Sequence, residues 1–190
     1  MLPLTDTELD ALRELANVGA GHGAVALSRM LGGERVGFEP PAAREVTESG
    51  LATLLGGEAA ARVVAEVEVL GAASAGLWLV LEPVDAEALA RRLAGRDMPG
   101  PGEADAALAE VARALALATV SAMGRLTGLF LEPAPAALVR GTAGELARDL
   151  ARREPALALD VHLRAPGASV QLLLLPRSST LGALLRALRA

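Results

Sequence analysis

The 190-residue chain has no cysteine, lysine, isoleucine or tyrosine, and it has one tryptophan, two phenylalanines and a single asparagine. Each shortage closes a class of function. Without cysteine there can be no disulfide and no thiolate-metal site, and nothing calls for an oxidising compartment. With 2% aromatic residues and a net charge of -5, the chain lacks both the stacking platforms and the basic footprint of a nucleic-acid-binding protein. Apolar runs such as Gly76 to Leu81 and Val170 to Leu175 fall far short of the roughly 20 residues that span a bilayer, and the first residues show no basic-then-apolar signal pattern. The expectation is a soluble, cytoplasmic protein with neither nucleic-acid binding nor membrane insertion. The apolar content of 52% is ample for a core.

Ala, Leu, Gly, Arg, Glu and Pro fill the vacated places, and against that pruning the lone Asn17 asks for a reason. It stands in Asp10-Ala-Leu-Arg-Glu-Leu-Ala-Asn17, where spacings of four and three put Asp10, Glu14 and Asn17 on one helix face. At 100° per residue these three fall within an arc of about 60°, away from Leu12, Leu15, Ala16, Gly19, Ala26, Leu27 and Met30. Gly21, Ala24 and Ser28 continue the polar face and leave it flat enough for another protein to approach. Gly19, Gly21 and Gly23 each cost a helix roughly 0.8 to 1.0 kcal/mol relative to alanine unless close packing or close approach compensates.

The order of elements repeats. Thr5-Asp-Thr-Glu8 is a capping-box pattern that opens a helix running to about Leu31, where Gly32-Gly33 stop it. An extended piece ends in Phe38-Glu-Pro-Pro41, and a short helix runs from Thr47 to Leu55. Strands over Val63 to Leu70 and Gly76 to Leu81 form a hairpin, and Asp85 caps a helix to Leu93. After the loop Asp97 to Gly102 the plan restarts: a second long helix over about Ala104 to Leu126, Phe130-Leu-Glu-Pro133, strands near Leu157 to Leu163 and Val170 to Leu175, and a Ser178-capped terminal helix. Glu110 follows Glu14 by 96 positions, whereas Pro133 follows Pro40, and Pro176 follows Pro83, by 93. We expect one domain of two fused repeats, about 1–97 and 98–190. The fold class is α/β in the α+β sense: two pseudo-symmetric repeats sharing an antiparallel or mixed sheet, with two long helices on one layer.

Asp10-x3-Glu14-x2-Asn17, then 22 residues and Pro40, resembles the signature of the CheC/CheX/FliY family, phosphatases of the chemotaxis response regulator CheY. The run Asn17-Val-Gly-Ala-Gly-His-Gly-Ala-Val-Ala-Leu-Ser28 is similar to that family's continuation of the helix. As a bare duplicated unit, the chain is most like the CheC branch. The resemblance implies that Asn17 orients the water attacking an aspartyl phosphate and that Glu14 docks on a lysine of the partner. Asp10, Gly21 and Ser28 would border the contact, and Pro40 would shape the neighbouring chain. It also implies no cofactor of the protein's own, Mg on the phosphorylated partner, and two partners, phosphorylated CheY and the receptor deamidase CheD. In the second repeat the matching positions are Ala106, Glu110 and Arg113. Arginine cannot accept a hydrogen bond from water, so one active site is expected, with a degenerate second.

Other readings of these residues stand beside that one. Asp10 and Glu14 could be solvated charges, and Asn17 could end the helix and leave Gly19 to Gly23 as a loop. That loop would be no dinucleotide cradle, since Ala24 stands where G-x-G-x-x-G needs glycine. His22 and His162 lack a second ligand at metal spacing, and Ser28 lacks the setting of a nucleophile. The alternative function is a non-catalytic interaction module, either a FliM-like flagellar-switch component or a CheD-binding adaptor.

Overall fold

A computed structural model describes residues 4–44, 46–95 and 99–189. Helix α1 (Asp6–Met30) opens with the capping box expected of Thr5-x-x-Glu8: the Glu8 amide donates to the Thr5 hydroxyl (3.3 Å) and the Thr5 amide to the Glu8 carboxylate (2.8 Å). The two satisfy each other's otherwise unpaired amides. Leu31 is the C-cap, and Gly32 and Gly33 take positive φ to turn the chain away. The helix is continuous through Gly19 to Gly23, so no loop forms there.

The remainder of the first half is β1 (Gly37–Phe38), β2 (Ala42–Arg44), α2 (Glu48–Leu54), β3 (Ala61–Gly71), β4 (Ala75–Leu81) and α3 (Pro83–Ala94). The second half follows the same order: α4 (Pro101–Thr127), β5 (Leu131–Pro133), β6 (Ala137–Thr142), α5 (Ala143–Ala151), β7 (Ala158–Ala165), β8 (Ala168–Pro176) and α6 (Leu181–Leu188). The expected repeat boundary at 97/98 lies outside the described residues.

All eight strands share one antiparallel sheet of order β1-β7-β8-β4-β3-β5, with β2 also on β7 and β6 also on β3. The short leading strands of each half therefore pair with the hairpin of the other half. Neither half is a closed unit, because its own hairpin would expose an edge that only the other half covers. The pseudo-two-fold passes between β4 and β8, where Leu79 lies opposite Leu172.

Alternation along the strands divides the core. On one face Val63, Ala65, Val67, Leu159, Val161 and Leu163 pack under α1 and α4, which lie side by side; on the other, Val64, Trp78 and Leu173 pack under α2 and α5. Over Gly102–Thr127, α4 is apolar and long enough to cross a bilayer, yet half of that window is buried in the fold.

Several local expectations are corrected. Helix α4 begins three residues before Ala104, with the Gly100 amide donating to Glu103 (2.8 Å). Helix α3 is capped at Glu82 rather than Asp85, because Pro83 takes the first helical position, where its missing N–H costs nothing. Helix α6 is capped by Thr180; Ser178 donates its hydroxyl to the Glu154 carbonyl (3.0 Å) instead. Strands β2 and β6 and helix α5 were not anticipated, although Thr142-x-x-Glu145 is a capping box. The two phenylalanines are not equivalent: Phe38 lies within β1 opposite Leu163, whereas Phe130 precedes β5 and is 75% exposed. Pro40 follows its strand while Pro133 lies inside β5 opposite Val69. In the leading strands the 93-residue spacing thus aligns residue types but not strand positions, since each finds its own register on the opposite hairpin.

Candidate functional site

The buried side of α1 sets which way its polar residues point. Leu12, Leu15, Ala16, Ala20 and Leu27 enter the core, and 3.6-residue periodicity then turns Asp10 and Glu14 to solvent and leaves Asn17 half-buried at the border. Three residue types that the spacing placed on one face are found together there. Asp10 is held by Arg13, whose Nη1 donates to its Oδ1 at 2.8 Å. Asn17 Nδ2 lies 3.5 Å from Glu14 Oε2, at the limit of a hydrogen bond. That contact turns the amide nitrogen toward Glu14, and the amide oxygen accepts no hydrogen bond from the described residues.

Farther along the face, Gly21 is half-buried beneath Phe38: a Cβ at Gly21 would lie 3.8 Å from the tip of that ring. Phe38, 37% exposed, is a neighbour of the site that the sequence reading did not assign to it. Its only signal was the short distance to Pro40. Ala24, expected on the open face, is buried and belongs to the main hydrophobic core. Ser28 is half-buried, and its carbonyl accepts the Gly33 amide (2.8 Å) in the turn that ends the helix. Pro40 is exposed and immediately follows Glu39, whose amide donates to the His162 carbonyl (3.0 Å). Having no N–H, proline interrupts that pairing, and β2 resumes it on the same strand β7 one residue out of register.

The three glycines of the helix differ in their surroundings. Gly19 and Gly23 face α4: a Cβ at Gly19 would meet Thr119 Cγ2 at 2.8 Å, and one at Gly23 would meet Thr119 Oγ1 at 3.3 Å. Thr119, one of the few buried polar side chains, donates its hydroxyl to the Gly19 carbonyl (3.2 Å). Close packing thus offsets the low helix propensity of Gly19 and Gly23, whereas a Cβ at Gly21 would make only an ordinary contact with Phe38.

The corresponding face of α4 is chemically different. Ala106, Glu110 and Arg113 are exposed, and Arg113 grips Glu110 through two hydrogen bonds, Nε to Oε2 (2.9 Å) and Nη2 to Oε1 (2.6 Å). The guanidinium hydrogen bonds hold the Glu110 carboxyl below its ordinary pKa and push Arg113 up. Glu110 is therefore already engaged by its own helix, whereas Glu14 has only the long Asn17 contact. The two faces point outward from adjacent helices, one with an amide and an open carboxylate, the other with a closed ion pair. Among the described residues no three His, Cys, Asp or Glu side chains converge as metal ligands; His22 is exposed and His162 half-exposed.

No protein-family model matches the chain. The CheY-P phosphatase CheC of Bacillus subtilis (strain 168) is 28% identical over 136 residues, covering 68% of this chain and 65% of that protein; the chain thus matches just under two thirds of the length of this curated relative. Among solved structures, FliY of Thermotoga maritima superposes with a TM-score of 0.72 at 15% identity, covering 100% of this chain and 98% of that one. A chain of the CheX-CheY-BeF3-Mg complex from Borrelia burgdorferi gives 0.63 at 16% identity, over 87% of this chain and 99% of that one. The FliM middle domain from H. pylori gives 0.68 at 10% identity, over 97% and 99%.

Proposed function

We propose that the chain belongs to the CheC/CheX/FliY family, on the likeness to CheC and the shared fold, and that it hydrolyses the aspartyl phosphate of a CheY-type receiver in the cytoplasm, using one site on α1. A receiver aspartyl phosphate carries its own electrophile, Mg and lysine, so what it lacks is a water held in line with the leaving carboxylate. Asn17 meets that need as a neutral amide. Its oxygen accepts from the water, and it brings no negative charge toward the phosphoryl group. Glu14 docks on the receiver's lysine, with Asp10 and the Gly21 to Ser28 surface bordering the contact. The single supporting observation is the contrast between the helices: Asn17 keeps its oxygen uncommitted on an exposed face, while Arg113 occupies the corresponding position and ties up Glu110. CheD is proposed as a second partner on family grounds.

The test mixes the purified protein with a phosphorylated CheY from the same organism and follows phosphate release. The wild type accelerates it. Asn17→Ala lowers the stimulated rate by about two orders of magnitude, about 3 kcal/mol of transition-state stabilisation, the usual cost of one oriented polar group. Its melting temperature stays at or slightly above that of the wild type, because the side chain is half-exposed and alanine favours the helix. Absence of acceleration by the wild type would favour the rival reading, a non-catalytic module of the FliM type, whose fold this chain shares.

A further inference from the structure

The sheet face opposite α1 carries a feature that breaks the pseudo-symmetry. In the β4 and β8 pairing, Trp78 lies opposite Leu173 and Val80 opposite Gln171, so the two-fold exchanges Trp78 with Gln171. Within the hairpins, Val64 pairs with Val80 and Glu66 with Trp78, as Asp160 pairs with Leu173 and His162 with Gln171. Asp160 is therefore the counterpart of Val64, and His162 that of Glu66. In the first set Val64 and Trp78 are fully packed beneath α5, and Arg153 lies over the indole (5.9 Å) while pairing with Glu66 (2.8 Å). In the second set the tryptophan volume is missing. A solvent-open cavity of about 620 Å³ stands there, lined by Asp160, His162, Arg44, Thr47, Thr53 and Leu54 among others.

Asp160 is only 4% exposed. Its Oδ1 accepts from Gln171 Nε2 (2.9 Å), which also reaches the Leu54 carbonyl (3.3 Å), and lies 3.4 Å from His162 Nε2. Gln171 is the only glutamine in the chain. Oδ2 takes no hydrogen bond from the described residues, yet among them no sealed side-chain polar atom lacks a partner, so Oδ2 is the oxygen open to the cavity. A buried carboxylate faced only by an amide and a half-exposed imidazole is left short of a full positive charge. Arg44 lies one diagonal step away on the same sheet face, β2 placing Ala42 opposite Asp160 and Arg44 opposite Ala158. It makes no ion pair with the described residues. A volume of this order is that of a small-molecule site, lined here by two opposite charges and hydroxyls.

We propose that this cavity binds a small zwitterion of the amino-acid class, its ammonium group on Asp160 Oδ2 and its carboxylate on Arg44. The site is separated from Asn17 by the whole sheet, and its occupancy is independent of the phosphatase reading. The test is a 1H-15N NMR titration of the full chain with L-lysine and 4-aminobutyrate, against putrescine, which has no carboxylate, and glutarate, which has no ammonium. The expected result is shifts confined to Arg44, Thr47 to Leu54 and Asp160 to His162 with the two zwitterions. Asp160→Asn, which keeps an acceptor for Gln171, and exposed Arg44→Ala should each weaken binding about tenfold or more. Three results would overturn the proposal: no shift with either zwitterion at about 10 mM, a concentration well above a millimolar dissociation constant; undiminished binding in both variants; or putrescine binding as well as L-lysine. Should Asp160→Asn fail to fold, Arg44→Ala and the putrescine comparison still decide.

Discussion

Gly19→Ala is a substitution whose sign the structure predicts against helix propensity. In an isolated helix the change would stabilise by about 0.8 to 1.0 kcal/mol. Here the added methyl would lie 2.8 Å from Thr119 Cγ2, a distance at which something must move. The methyl of a β-branched side chain cannot move alone: turning χ1 of Thr119 would pull its hydroxyl off the Gly19 carbonyl, a buried hydrogen bond of 3.2 Å. Overpacking of this kind costs about 1 to 3 kcal/mol, so the net expectation is a loss of about 1 kcal/mol. Thr119→Ser removes the offending methyl but keeps the hydroxyl, and alone it costs about 1 kcal/mol for the buried group lost. Combined, the two exchange one methyl for another across the same gap, and the double variant should return to wild-type stability or exceed it by about 0.5 to 1 kcal/mol. The coupling is then about 2 kcal/mol, well outside additivity for independent sites. Urea unfolding of the four proteins measures it, with about 2 to 4 °C in melting temperature for each kcal/mol in a chain of this size. A stabilising Gly19→Ala, or strict additivity with Thr119→Ser, would show that α1 and α4 do not approach at this point, and the packing that orients the Asn17 face would have to be reconsidered.

Three further expectations concern charge and capping. Glu14→Lys should weaken binding of a phosphorylated receiver as well as turnover by setting like charges together, whereas Glu110→Lys, which breaks only an exposed pair on α4, should leave turnover nearly unchanged; equal losses in phosphate release would refute the one-site reading. Thr5→Ala removes the cap of α1 and should cost about 1 kcal/mol at neutral pH, read by thermal unfolding. The Thr5 hydrogen bonds hold Glu8 below its ordinary pKa, with Arg189 assisting, and those of Thr142 do the same for Glu145. A depressed carboxyl stabilises the fold above its unfolded value near 4.5 and loses that contribution as pH falls through the lower folded value. Melting temperature followed from pH 6 downward should therefore fall less steeply in Glu8→Gln than in the wild type. Parallel curves would show that the capping carboxylate is not engaged.

Residue type and spacing alone specify the elements that a local rule can reach. The Thr5 capping box, the Gly32-Gly33 stop, the two hairpins and the phase that turns Asp10, Glu14 and Asn17 to one side of α1 all follow from spacing and residue type, because each depends on neighbours within a few positions. The duplication was legible in the 93-residue spacing of Pro83 and Pro176, which agrees with the pairing of Leu79 and Leu172 at the centre of the sheet, whereas the equal spacing of Pro40 and Pro133 marks no equivalent strand positions. Strands β2 and β6 were not legible. They are three and six residues long, and what makes them strands is pairing with a hairpin on the other half of the chain, which no local pattern encodes. The same exchange of leading strands separates Phe38 from Phe130, and it brings Phe38 over Gly21 beside the Asn17 face. Helix α5 was legible in principle from Thr142-x-x-Glu145. Why Gly19 and Gly23 are glycine was decided in three dimensions, by a threonine 100 positions from Gly19. The difference between Glu14 and Glu110 is by contrast local, since Arg113 follows Glu110 by three positions on its own helix where Asn17 follows Glu14. What only the tertiary structure decides is the close approach of α1 to α4 and of β1 to Gly21, because it joins residues that no local rule relates.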